Sequence, residues 1–272
     1  MKIAAGIVTY NPEIKCLQDN INAIVKQVNV VYIIDNDSKN LNDIRKIIEK
    51  EKKCILIELE QNEGIAKALN IACQYAWNDG VEWILTLDQD SICPDNIIKE
   101  YKKYINLKKC AMLSAIIFDR NKNVVNCEEY LGYSEINECI TSGALLNLQA
   151  WNEVNGFDEI LFIDGVDFDI CYRIINHGYK IYRINSVVLN HEIGKSEIKK
   201  IFIWKTIVMH HSAFRKYYIA RNNIYLAKKN KKSIIHGILK NIKLLLLVLL
   251  YEVEKIDKCK KIIKGTIDGF FV

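Results

Sequence analysis

Proline is nearly missing from this chain: two residues, Pro12 and Pro94, serve all 272 positions. No stretch rich in glycine, serine or proline occurs, which argues against a flexible linker between tethered domains. No internal repeat is found. No Gly-x-Gly-x-x-Gly follows the first predicted strand and no Gly-x-x-x-x-Gly-Lys occurs, so a classical dinucleotide site is not expected and a P-loop is excluded. The nine cysteines contain no Cys-x-x-Cys pair. An odd number of scattered thiols in apolar surroundings reads as reduced core residues of a cytosolic protein. The N-terminus runs straight into a strand pattern, without the apolar stretch and cleavage site of a signal peptide.

Half of the residues are hydrophobic and 26% are charged, as in a globular fold. The length fits one large α/β domain, or one domain with an appendage. The net charge of +5 is unevenly spread. Residues 1–194 carry 20 basic and 28 acidic side chains, a net of −8, whereas 195–272 carry 18 and 5, a net of +13. The acidic part cannot be a simple polyanion binder. The basic tail suits an anionic surface.

Along the chain, short buried apolar runs alternate with helical patterns. Strands are predicted at 3–9, 30–34, 54–59 and 83–87, with helices between them. This alternation implies a doubly wound, mostly parallel sheet. In such sheets ligands bind outside the carboxyl ends of the strands. All four ends are polar: Thr9-Tyr10-Asn11, Asp35-Asn36, Asn62-Glu63-Gly64 and Asp88-Gln89-Asp90. The last places two carboxylates at i and i+2, on one side of an extended chain. Two hard oxygen ligands there suit Mg²⁺ or Mn²⁺, especially beside a diphosphate. A solvated turn with a helix cap explains the same residues more simply.

Further on, a helix is expected from Pro94 and a strand at 110–118, while 119–140 read as short strands and loops. Ser142-Gly143 precedes an apolar run and would let backbone approach a ligand closely. The segment 157–173 sets Asp164, Asp167 and Asp169 among bulky apolar residues, which is costly unless each finds a partner. Asp164 and Asp167 fall in the loop and first turn of a helix reaching Asn176, where acidic residues are favoured in any case. Two more strands, 179–184 and 186–189, lead to His191. From about 196 the tail reads as helices with interleaved aromatic and basic residues. Its uninterrupted apolar run, 244–251, is too short to cross ~30 Å of hydrocarbon. An amphipathic helix on an anionic leaflet fits it, as does a core helix packed on the catalytic domain or in a dimer interface. No nucleic-acid motif accompanies the basic charge.

Seven motifs now stand in order: Thr9-Tyr10-Asn11-Pro12, Asp35-Asn36-Asp37-Ser38, Asn62-Glu63-Gly64-Ile65-Ala66, Asp88-Gln89-Asp90-Ser91, Ser142-Gly143, Phe162-Ile163-Asp164-Gly165-Val166-Asp167 and His191-Glu192-Ile193-Gly194. Across about 1–194 they resemble the GT-A-fold glycosyltransferases of family 2. The Asp-Gln-Asp-Ser and Phe-Ile-Asp-x-Val-Asp forms are most similar to its rhamnosyltransferase branch, which acts on dTDP-rhamnose in bacterial cell-surface polysaccharide assembly.

The resemblance implies a GT-A catalytic domain over 1–195 and a basic helical extension over 196–272. It implies that Thr9, Asn11 and Asp35 contact the nucleoside, with Asn36, Asn62 and Gly64 lining its pocket. Lys67, Asp88 and Gln89 serve the nucleotide-sugar. Asp90 ligates Mn²⁺ or Mg²⁺ together with His191, and Asp88 supports that site. Asp167 matches the general base. The first member of the family's acidic pair, directly before Asp167, is here Val166 rather than an acid, so Asp164 is left either to grip the acceptor beside Gly143 or to act as a second base.

The expected reaction is inverting, metal-dependent sugar transfer from a dTDP- or UDP-linked donor to a saccharide or lipid-linked saccharide. It is expected in the cytoplasm at the inner face of the membrane, without nucleic acid, and a homodimer is a further use of the tail. Other donors, among them UDP-galactofuranose and UDP-glucose, remain open. So does a nucleotide-binding homologue without catalysis. A nucleotidyltransferase would want a Gly-rich phosphate loop after the first strand, which Thr9-Tyr10-Asn11-Pro12 is not.

Overall fold

A computed structural model describes residues 1–119, 132–191, 196–201 and 204–272. They divide into two compact units. The first comprises Met1–Glu159 and Asp167–Glu192 and holds an eight-stranded sheet. Its elements are β1 (Ile3–Thr9), α1 (Ile14–Ile24), β2 (Val30–Asp35), α2 (Leu41–Ile48), β3 (Cys54–Glu58), α3 (Ile65–Asn78), β4 (Trp83–Asp88), α4 (Ile97–Lys102), β5 (Cys110–Asp119), β6 (Tyr133–Ile136), β7 (Ala144–Asn147), α5 (Leu148–Glu153), α6 (Val166–Asn176, opening on the last residue of the second unit) and β8 (Lys180–His191).

The strand order is β3-β2-β1-β4-β7-β5-β8-β6. The first four run parallel, as do β5 and β8; β7 and β6 are antiparallel to their neighbours. This is the mixed α/β sheet of the GT-A fold. β1 sits between two strands, and all seven of its residues are buried. A strand covered on both faces needs apolar side chains on both, which is why it reads as a run rather than an alternation. The main core joins Ile3, Ile7 and Leu85 of the sheet to Leu17, Ile21 and Ile44 of the helices. Each such side chain contributes ~1.5–3 kcal/mol by leaving water.

Register decides what the strand ends present. Thr9 lies opposite Asp35, and Val8 opposite Asp88, so the polar residues that end β1, β2 and β4 share one rim. The sequence differs from the structure at 179–189, where two strands were expected. One strand, β8, runs through, and a shift in its pairing with β5 between Ser114 and Ile116 absorbs the break that Asn185-Ser186 suggests.

The second unit comprises Ile160–Val166 and Ile193–Val272. It contains the antiparallel pair β9 (Ser196–Ile201) and β10 (Trp204–Met209), followed by α7 (Ala213–Lys229), α8 (Ile234–Tyr251) and α9 (Lys255–Asp268). The expectation of helix from about 196 is therefore wrong for 196–209. Ile198 and Ile201, three apart, imitate a helical face, but β10 supplies the partner strand and Ile201 pairs with Trp204. The segment 160–166, inside a motif read as part of the catalytic domain, is clasped by α7. Asn222 Nδ2 donates to the carbonyls of Leu161, Ile163 and Asp164 at 2.9, 2.8 and 2.7 Å. Phe162 stacks on Tyr218 with ring centroids 4.7 Å apart. Deeper in this unit Glu252, fully buried, accepts from Lys216 Nζ at 2.5 Å and Lys258 Nζ at 2.9 Å.

Candidate active site

The rim at the ends of β1, β2 and β4 is tied together by side chains. Asp35, almost fully buried, accepts from the Thr9 hydroxyl at 2.8 Å and from the Ser38 N–H at 2.9 Å. One donor on each oxygen leaves lone pairs for a further donor. Asn36 Oδ1 accepts from the Glu63 N–H at 2.8 Å, linking the second strand end to the Asn62-Glu63-Gly64 turn. Within that turn Asn62 Oδ1 accepts from the Gly64 N–H at 3.0 Å. Asn11 receives the Lys39 N–H on its side chain at 2.9 Å, while its own N–H goes to Ser38 Oγ at 2.7 Å. Lys67, one turn into α3, pairs with Glu63 at 3.0 Å. Bonds from Gln61 and Lys67 hold the Glu63 carboxyl below its usual range.

The Asp88-Gln89-Asp90 stretch is fixed from three sides. Asn20 of α1 donates to the Asp88 carbonyl at 2.7 Å. Gln89 Oε1 accepts the Tyr10 N–H at 2.8 Å. The Asp88 N–H donates to Ser142 Oγ at 3.1 Å, and Ser142 Oγ lies 2.7 Å from Ser91 Oγ. Asp88 and Asp90 are half-buried.

The loop that carries Ser142 also reaches Asp167. Thr86 of β4 donates its hydroxyl to the Thr141 carbonyl at 2.6 Å. Thr141 in turn donates its hydroxyl and its N–H to Asp167 Oδ1, at 2.7 and 3.2 Å. Residues 141–142 thus join the D-x-D strand end to the carboxylate in the first turn of α6. Cys139, just before this loop, lies 3.8 Å from Cys171 Sγ, and that contact together with burial keeps its thiol well above the usual range.

Gly143 has φ of +77°, and a Cβ there would lie 2.6 Å from Leu189 Cδ2. Packing against Leu189 therefore requires glycine at this position, which the sequence also offers as an acceptor contact. Its N–H donates to the Thr86 carbonyl at 2.8 Å and its carbonyl accepts from Tyr101 Oη at 2.6 Å. Burial holds the Tyr101 phenol well above its ordinary value, so it remains the donor.

Asp164 belongs to the second unit. Arg215 of α7 engages both its oxygens, Nη2 to Oδ1 at 2.8 Å and Nε to Oδ2 at 2.9 Å. The residue is itself left-handed, with φ of +65°, a backbone that Asp tolerates better than most residues. Asp169, the third acidic residue of this stretch, is buried and paired with Arg173 at 2.7 Å.

His191 ends β8, in register with Asp119 of β5. The rest of its motif, 192–194, lies outside the described residues, as do most of 119–140. No cluster of three or more His, Cys, Asp or Glu side chains occurs among the described residues. The carboxylates of Asp88 and Asp90 nevertheless fit Mg²⁺ or Mn²⁺. Such ions are commonly held by one or two carboxylates with substrate phosphates completing the shell.

Sequence reasoning missed Thr141, Ser38, Asn20 and Arg215. Thr141 and Ser38 were visible as hydroxyl residues beside a glycine or an Asp cluster at strand ends. Asn20 and Arg215 carry no local signal, because their partners lie 68 and 51 residues away.

Comparison with known proteins gives the family and the fold. Residues 5–175 match the model of Glycosyl transferase family 2. The dTDP-rhamnosyl transferase RfbF of Shigella flexneri is 33% identical over a 286-residue alignment covering 98% of this chain and 95% of RfbF. Among solved structures, the mannosyltransferase PcManGT of Pyrobaculum calidifontis, in complex with GDP-Man and Mn²⁺, matches all of this chain and 75% of its own, with a TM-score of 0.61 at 16% identity. S. aureus TarS in complex with UDP-GlcNAc matches all of this chain and 73% of its own, with a TM-score of 0.58 at 15% identity. GalNAc-T7, with UDP, GalNAc and Mn²⁺, matches 82% of this chain with a TM-score of 0.59 at 14% identity; the chain spans half the length of that protein. The chain belongs to glycosyltransferase family 2 and is a rhamnosyltransferase-like glycosyltransferase.

Proposed function

We propose that this glycosyltransferase moves L-rhamnose from dTDP-rhamnose to a hydroxyl of a cell-surface polysaccharide precursor carried on a lipid. The observation that carries the donor assignment is the full-length similarity to RfbF, since GT-A folds as such accept many donors. Residues 1–195 form the catalytic domain and 196–272 an extension that also holds the 160–166 segment.

In this reading the rim of Thr9, Asn11, Asp35, Asn36, Asn62 and Gly64 receives the nucleoside. Asp35 accepts the base N3–H on a remaining lone pair. Lys67 and Gln89 face the diphosphate side. Asp88, Asp90 and His191 would hold a divalent cation, which when bound would neutralise charge on the departing diphosphate.

Asp167 takes the proton of the acceptor hydroxyl as its oxygen bonds to the anomeric carbon. The bond from that carbon to the diphosphate oxygen breaks on the opposite face. The product is the inverted glycoside and dTDP. Thr141 orients Asp167 for this step. Asp164, with both oxygens engaged by Arg215, is committed to an ion pair and does not serve as a second base. The direct test is a titration with dTDP-rhamnose, UDP-sugars and GDP-sugars in the presence of Mn²⁺ or Mg²⁺. Selective binding of dTDP-rhamnose supports the assignment, and preference for a UDP- or GDP-sugar overturns it.

A further inference from the structure

By length and composition α8 is able to cross a membrane. It is longer than its uninterrupted apolar run suggests, because Lys240 and Lys243 lie within it. Its packing, however, binds it sideways to its neighbours. Asn241 is buried, donates to the Ala220 carbonyl and to Thr266 Oγ1, both at 2.9 Å, and accepts from Asn223 Nδ2 at 2.9 Å. Gly237 lies so close to α7 that a Cβ would come within 2.6 Å of the Asn223 carbonyl oxygen. Pulling α8 away to span a bilayer would break these contacts and leave an amide unpaired in hydrocarbon.

Among the exposed apolar side chains of α8, Ile235, Leu239, Ile242, Leu246 and Leu249 form a stripe spaced alternately by four and three, with Ile234 and Leu250 exposed beside its ends. Ile235 is 67% exposed, Leu239 57%, and Leu246 and Leu249 51% each. Lys240 and Lys243 flank it and are exposed. On α9, Ile256, Ile263 and Ile267 repeat the pattern, with exposed Lys260 and Lys264 between them. Water-exposed apolar stripes of this extent are rare unless something covers them.

We propose that these stripes dock the protein onto an anionic phospholipid bilayer, with α8 and α9 lying in the interface rather than through it. Charge selects this occupant. Residues 195–272 carry a net +13, which attracts an anionic leaflet and opposes a second copy bearing the same charge. The lysines beside the stripes sit where headgroup phosphates meet inserted leucine and isoleucine side chains. The inference stands on these helices alone and does not depend on the donor.

Sedimentation with phosphatidylglycerol-containing vesicles and with pure phosphatidylcholine vesicles tests it. The wild type should sediment with the former, much less with the latter, and less as salt rises. Leu246→Gln with Leu249→Gln should weaken vesicle binding about tenfold or more. Lys240→Gln with Lys243→Gln should weaken it only on anionic vesicles. Circular dichroism and nucleotide-sugar titration should be unchanged in both variants, which separates a failure here from a failure of the donor assignment. The proposal is overturned if the wild type ignores anionic vesicles. It is also overturned if the leucine variant binds them as well as the wild type, or if the wild type is a dimer that this variant dissociates without any vesicle binding.

Discussion

Thr141 holds Asp167 twice through one oxygen, by its hydroxyl at 2.7 Å and its N–H at 3.2 Å. Both bonds fix the direction of the carboxylate. The same loop passes from Thr141 to Ser142, which receives the Asp88 N–H. Asp167 and the D-x-D strand end are thereby joined through residues 141–142.

Thr141→Val removes the hydroxyl bond and keeps the N–H. We expect kcat to fall about tenfold, with little change in donor KM, as a positioning loss of ~1.4 kcal/mol. A kcat equal to that of the wild type would remove Thr141 from this role.

Asp167→Asn should abolish transfer while leaving nucleotide affinity largely intact. Asp164→Asn should keep measurable transfer, because its carboxylate is bound to Arg215. Comparison of initial rates and donor Kd in the two variants distinguishes the base from the ion-paired residue. Equal loss in both would contradict the division.

Asp90→Ala should remove metal-dependent donor binding. Calorimetric titrations with and without Mn²⁺ should differ for the wild type and coincide for the variant. A variant that keeps the difference would place the cation elsewhere.

Glu252→Gln should lower stability by about 3–5 kcal/mol, because Lys216 and Lys258 lose their buried countercharge. Burial opposes the Glu252 charge, but the bonds from the two lysines outweigh it and hold its carboxyl below the usual range. A thermal midpoint equal to wild type would show that water reaches the triad.

His211 makes the second unit acid-sensitive. Burial, reinforced by Arg215, lowers its pKa from 6.5 to about 4. Between those values the unfolded chain binds the proton and the folded one does not. Stability is therefore complete above 6.5 and is lost as the pH falls toward 4. The thermal midpoint should drop between pH 7 and 5, and His211→Gln should shrink that drop.

The strand ends were readable because buried parallel strands appear as apolar runs and stop at polar residues: Thr9, Asp35 and Asp88 all lie on one rim. The helix carrying Asp167 was readable from its acidic first turn. Partnership was not. Nothing near Asp164 announces Arg215, and nothing near Glu252 announces Lys216. These pairs form only when distant elements pack. Residues 196–209 were misread because interleaved aromatic and basic residues suit a helix or a strand until a partner strand decides. The packing that requires glycine at 143 was unreadable for a similar reason, since Leu189, which fills the space beside it, is 46 positions away.

The central claim is a family 2 glycosyltransferase that uses dTDP-rhamnose through the β1, β2 and β4 rim. The most direct measurement is the donor titration in Mn²⁺, with the wild type and Asp35→Ala side by side. dTDP-rhamnose should bind the wild type more tightly than UDP- or GDP-sugars, and Asp35→Ala should weaken dTDP- and UDP-sugar binding alike, because thymine and uracil share the N3–H that Asp35 accepts. Tighter binding of a UDP- or GDP-sugar to the wild type, or unchanged dTDP-rhamnose affinity in Asp35→Ala, would contradict this assignment.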